Sequence, residues 1–186
     1  MSVTYEVDRA TLQEVEARLG ALKSKAPTVI SRALNKTATS ARVDLAARAQ
    51  AAYTVKSGGF KKDMEIKKAT RGNLVATIKS QGKPLSIVKF HTTAAKKAGA
   101  KANIVNGGGL KPLIRDGIKA FKGPNGHIYQ RRGKPRLPIK RLSSNSIPKM
   151  IGSEEHVYGV VRPKIESDLQ HYMDQQIEML VGGGSV

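Results

Sequence analysis

A few sets of residues in this chain have types and spacings from which chemistry could be built. Asp63 and Glu65 would share one face of a strand at i and i+2, the arrangement of a carboxylate pair for general acid–base or metal-assisted hydrolysis. Lys61, Lys62, Lys67 and Lys68 surround them, so local salt bridging is the simpler reading. Glu154-Glu155-His156 offers cation ligands, but acids beside a helix start also offset its dipole. The histidines at 91, 127, 156 and 171 are scattered and match no metal spacing such as HExxH. "GGGLK" at 107–111 sets glycines near a lysine without the spacing or the Ser/Thr of a phosphate loop, and reads as a turn or hinge. "NKT" at 35–37 is formally a glycosylation triplet, but it falls inside a helix. No nucleophile–base set stands out. The expectation is a protein without catalytic residues, metal or cofactor.

The densest chemistry is "RRGKPRLPIKRL", residues 131–142, with six basic residues and two prolines in twelve positions. Arg131, Arg132, Lys134, Arg136, Lys140 and Arg141 are candidates for DNA-phosphate contact, whose affinity would fall steeply with salt. Single-strand binding would also need aromatic platforms, and Tyr129 is the one aromatic nearby in sequence. Pro135 and Pro138 rule out a long helix and hold an extended path. Leu137 and Ile139 project from that path as anchors, which favours a segment laid on its own sheet or on a neighbouring subunit, charges outward.

The charge belongs to a larger pattern. The 186 residues hold 33 Lys and Arg against 14 Asp and Glu, a net of +19. Residues 17–153 carry 30 bases and four acids (Asp44, Asp63, Glu65, Asp116), a net of +26, while the two ends together carry a net of −7. A basic middle between acidic ends suits a polyanion such as nucleic acid, or the acidic end of a second copy, with a solvated basic surface that has no dedicated partner as the third reading. There is no Cys, which excludes disulfide scaffolds, thiol catalysis and thiolate zinc sites. The start lacks a secretory pattern, and no run approaches the ~18 apolar residues of a membrane span. A soluble protein made in the cytoplasm, with no membrane partner, is expected.

The elements that must position these residues follow from periodicity. "VTYEV" (3–7) alternates as a strand, and Asp8 caps a helix over 9–24 with Leu12, Val15, Leu19 and Leu22 on one stripe. Pro27 opens a second, alanine-rich helix reaching about Tyr53, with Ile30, Leu34, Thr37, Ala41 and Leu45 along one face. The two predict a helical hairpin. After the break "SGGF" (57–60), "MEIKKAT" (64–70) and "LVATIKS" (74–80) read as a β-hairpin, and "LSIVKF" (85–90) as a strand. Residues 91–99 read as a mobile loop. "AKANIVN" (100–106), "IKAF" (118–121) and "HIYQRR" (127–132) are further strands. A last helix covers about 157–180, with Pro163 arguing for a start nearer that residue and Ile165, Leu169, Tyr172, Gln176 and Leu180 on one face. Residues 182–186 read as a flexible tail. The fold class is α+β: one domain over 1–186, with an N-terminal helical hairpin, a central antiparallel or mixed sheet of five to seven short strands, and a C-terminal helix.

"GHIYQRRGKPRLPIKRLSSNSIPKMI" (126–151) resembles the signature of the phage minor tail protein Z family, the tail completion proteins of long-tailed phages. The matching places are Gly126, Ile128-Tyr129, Arg131 or Arg132, Gly133-Lys134, Arg136-Leu137-Pro138-Ile139, Ser146-Ile147-Pro148 and Met150. "ALNKTATSAR" (33–42), "LSIVKF" and "IKAF" fit the family's second helix and strands, so the likeness runs from about 28 to 180. Lys140-Arg141 and Ser144-Asn145 stand where family members often carry an acid and a Gly-Pro. The resemblance implies a structural virion protein at the head-proximal end of a tail, assembled in the host cytoplasm as a head–tail connector component. It implies a homo-oligomer, a hexameric ring around the DNA path, beside tail terminator, tail tube or connector proteins. Leu137, Pro138, Ile139, Ile147 and Pro148 would then make subunit or partner contacts, and the six bases of 131–141 would neutralise phosphates of genomic double-stranded DNA. The alternative is a sequence-independent DNA-binding protein acting through the basic middle.

Overall fold

The computed structural model describes residues 1–56 and 60–182. The glycines of the break after Ser57 and the tail from 183 lie outside the described residues. Strand β1 (Ser2–Glu6) leads into α1 (Arg9–Leu19). The Asp8 carboxylate accepts hydrogen bonds from the backbone N–H of Thr11 at 2.8 Å and its hydroxyl at 2.7 Å, capping α1 as its position predicts. Gly20, at φ 53°, ends the helix, and a 3-10 segment (Gly20–Lys25) carries the chain into α2 (Ala26–Ala52) with Pro27 in its first turn.

Helix α2 is the axis of the main core. Ile30, Leu34, Thr37, Ala41 and Leu45 are buried as their spacing predicts, and Ala33, Ala38 and Ala49 join them. So many alanines let two layers approach the helix closely. One is α4 (Tyr158–Val181), which presents Val161, Ile165, Met173 and Ile177. The other is a three-stranded antiparallel sheet in the order β1, β3 (Val75–Ser80), β2 (Met64–Lys67), with Val3, Ile66 and Ile78 in register and Ala76 and Met64 buried. The Asn35 side chain fastens the turn of this sheet to α2: its amide donates to the Ala69 carbonyl at 3.0 Å, and its oxygen accepts from the Ala69 N–H at 2.8 Å.

The remaining strands do not join that sheet. The expected central sheet of five to seven strands is replaced, among the described residues, by eleven short strands in four antiparallel sheets of two or three. Beyond the first sheet these are β4 (His91–Ala95), β5 (Gly99–Asn103) and β6 (Lys111–Pro112); β7 (Ile114–Arg115) and β8 (Ile118–Lys119); and β9 (Phe121–Lys122), β10 (Ile128–Arg131) and β11 (Ile139–Arg141). Glycine and proline turns interrupt this stretch too often for longer strands. Its strands enclose a second, small cluster of Ile87, Ala100, Ala102, Ala120 and Ile128.

Two local expectations are corrected. Residues 91–95 form a strand paired with 99–103 and not an unpatterned loop; small Thr and Ala side chains hide the alternation. "LSIVKF" makes one bridge, Ser86 to Ser143, and then a 3-10 turn over Ile87–Lys89. The turn places Ile87 in the small cluster and Phe90 in the main one. The last helix, by contrast, covers Tyr158–Val181, as the expected span of about 157–180 has it, and starts five residues ahead of Pro163. Buried Val157 and Val161 hold its first turn on the core, outweighing the single hydrogen bond that proline forfeits. Gly159 is required there, because a Cβ would collide with the Glu154 carbonyl oxygen.

Candidate interaction surface

The segment 131–142 is one arm and the tip of a β-hairpin. Strands β10 and β11 pair Tyr129 with Arg141, Gln130 with Lys140 and Arg131 with Ile139, and the Arg132 N–H donates to the Pro138 carbonyl at 3.1 Å to close the tip. Alternation then divides the hairpin into two faces. Ile128 and Gln130 face inward, with the Gln130 amide donating to the Ile118 carbonyl at 2.9 Å, and Leu142 packs on the small cluster. Tyr129, Arg131, Ile139 and Arg141 face outward.

Cross-strand register adds a residue that sequence distance concealed. Phe121 of β9 pairs with Tyr129, their ring centroids 6.3 Å apart, so the outer face carries two adjacent aromatics and not Tyr129 alone. Asn125 donates to the Tyr129 hydroxyl at 2.7 Å, and Gly123 leaves room for the ring, which a Cβ there would meet at 2.8 Å. The signal in the sequence was the turn "KGPNG", which fixes this register. Beside Phe121, Lys96, Lys97, Lys119 and Arg131 line a groove of about 410 Å3 that holds no acid.

Of the expected contact residues, Leu137, Pro138 and Ile139 are on the surface, Leu137 with 67% of its area exposed. Ile147 and Pro148 lie outside the hairpin. They open the short helix α3 (Ile147–Ile151), where Pro148 is buried and Ile147 packs on the main core. Their apolar character is used within the fold. All six bases of 131–141 are exposed.

Asp63 and Glu65 line one groove of about 260 Å3 together with Lys62 and Lys79, so the two carboxylates are brought together among cations. Asp63 ends a 3-10 turn (Phe60–Asp63), while Glu65 sits opposite Lys79 in β2. Among the described residues no three His, Asp or Glu side chains gather to hold a metal. His156 lies 3.6 Å from Glu155, and its carbonyl accepts from Arg48 at 2.8 Å, tying the start of α4 to α2.

Electrostatics separate along the same division as the cores. From Lys83 to Ser143 the chain has 15 bases and one acid, so this part alone carries +14 of the net +19. Its ion pair among the described residues is the exposed Arg115–Asp116. In the helical part the acids tie elements together: Arg18 to Asp174 at 2.6 Å joins α1 to α4, and Lys164 bridges Asp44 of α2 at 2.5 Å and Asp168 at 3.0 Å. Burial alone would raise the Asp168 pKa. Hydrogen bonds from Lys164 and Ser40, with the Lys164 charge, more than offset this and hold it below its ordinary value. The hydrogen bonds to Asp44 and Asp168 hold Lys164 well above its own.

The structure thus sets a charged and aromatic surface on small sheets steadied by a helical core. The chain belongs to the prophage minor tail protein Z (GPZ) family, whose sequence profile matches residues 11–182. No curated protein and no solved structure is significantly similar to it. Family membership makes it a structural protein of the phage tail, a component of the virion that associates with other tail components, and points to a non-enzymatic role. No described helix is long and apolar enough to cross a membrane.

Proposed function

We propose that this protein is the tail completion component, a ring at the head-proximal end of the tail through which the DNA passes. The observation that carries this reading is the separation of charge: a part with 15 bases and one acid, set on a helical part that holds most of the acids. A ring of heterologous contacts needs two unlike surfaces on each subunit, and the molecule has them. Lumenal lysines and arginines would neutralise phosphate without reading base sequence, as a DNA conduit requires. Six copies fit the symmetry that the family resemblance implies, with a tail terminator, tail tube or connector protein above and below. Immunogold electron microscopy on phage particles tests this. Label confined to the head–tail joint is the expected result; unlabelled particles with antigen tracking free DNA would overturn it.

A second reading, sequence-independent DNA binding as the main task, is favoured by the acid-free groove of Lys96, Lys97, Lys119 and Arg131 beside Phe121. It requires tight duplex binding by the free protein, which a conduit that only passes DNA does not.

A further inference from the structure

The acidic ends of the chain, far apart in sequence, meet in space. Strand β1 and helix α4 line a groove of about 280 Å3 with Ile165 and Leu169 on its floor and Glu6 and Glu166 at its margin. Arg162 also lines it, but its charge is offset by Glu166 at 3.0 Å. The segments that supply it, 1–16 and 154–178, hold ten acids against three bases, and of these Glu6, Glu166 and Arg162 line the groove itself. The hairpin tip, Arg132 to Pro138, is its chemical complement: three cations, no acid, and an exposed leucine directly after them.

We propose that the β10–β11 tip of one copy docks in the β1–α4 groove of the next. Leu137 seats on Leu169 beside Tyr5 and Tyr158, while Arg132, Lys134 and Arg136 face Glu6 and Glu166. Tip and groove are different surfaces, so the contact is heterologous and propagates from copy to copy. Burial of one leucine flanked by opposed charges gives orientation as well as attraction. This rests on the ring reading and assigns its subunit contact.

The chain has no cysteine, so introduced ones report without background. Leu137→Cys and Thr4→Cys, both at exposed positions, are made in separate copies, and the two are mixed as concentrated protein and co-expressed in particles. Oxidation should link the mixture and neither variant alone. Arg136→Glu should cut the mixed product about tenfold, and Glu166→Arg in the partner copy should restore it. Tip-to-tip dimers of the Leu137→Cys variant alone, or no mixed product in either setting, overturn the proposal. If immunogold label still marks the joint, the connector reading survives that failure. A mixed product from a protein located elsewhere sinks the connector reading and leaves this contact standing.

Discussion

Two neighbouring side chains on α2, Asn35 and Thr37, show how differently buried polar groups can be treated. Asn35 exchanges two hydrogen bonds with the Ala69 backbone, replacing partners that the turn would otherwise find in water. Asn35→Leu strands both backbone groups and should cost about 1–3 kcal/mol, read as a lower chemical-denaturation midpoint. Thr37 is fully buried, and its hydroxyl has no hydrogen-bond partner among the described residues. Thr37→Val keeps the shape and removes the unpaired group, so it should leave stability unchanged or raise it by about 1 kcal/mol. A clear loss of stability would show that the hydroxyl is satisfied. The sequence placed Thr37 on the buried stripe, because helical period alone determines that. It gave no sign of the Asn35 clasp, because that partner lies 34 residues away in a turn.

Elements were legible where a period ran long enough to be read. The alanine-rich helix, the last helix and the first hairpin each carry several repeats of one pattern. The middle strands are two to five residues long and pair through turns, so neighbouring sheets cannot be told apart by alternation. The exposed hairpin tip is legible as an extended basic segment, but which of its residues point outward depends on register. That register leaves Leu137 open and Arg131 among other cations, so Leu137→Asp should impair assembly into particles more than Arg131→Ala does. Equal, mild defects would remove Leu137 as an anchor.

The join between α2 and α4 makes a prediction in pH. Asp168 has a depressed pKa, so its contribution is present above the ordinary carboxylate range, near 4, and is lost as pH falls through its folded value. Lys164 has a raised one, so its contribution is complete below the ordinary lysine value, near 10, and is lost only at higher pH. The join therefore acts at full strength across neutral pH. Lys164 is more than half exposed, so solvent screens it, and Asp168→Asn should cost only about 0.5–1 kcal/mol. The difference between wild type and variant should vanish in acid; a constant difference from neutral pH down to pH 3 would refute the account.

At the scale of the whole molecule, composition foretold the charge and family membership the setting, but neither foretold that charge and core divide together. The main core is built around a 27-residue helix, whereas the basic part rests on five buried residues, three of them alanine. So thin a core leaves most of its side chains at the surface, which spreads positive charge and holds it in place for a polyanion. This determines what salt should do. Duplex DNA bound through phosphates gives an affinity that falls with log salt by about 0.9 per phosphate neutralised. Lys96→Ala with Lys119→Ala, two cations of the acid-free groove, should reduce that slope by about 1–2 and weaken unrelated DNA sequences alike. Fluorescence anisotropy with two duplexes of different sequence, titrated across a salt series, measures both effects. An unchanged slope would move the DNA contact off this groove, and a loss confined to one sequence would mean that bases are being read.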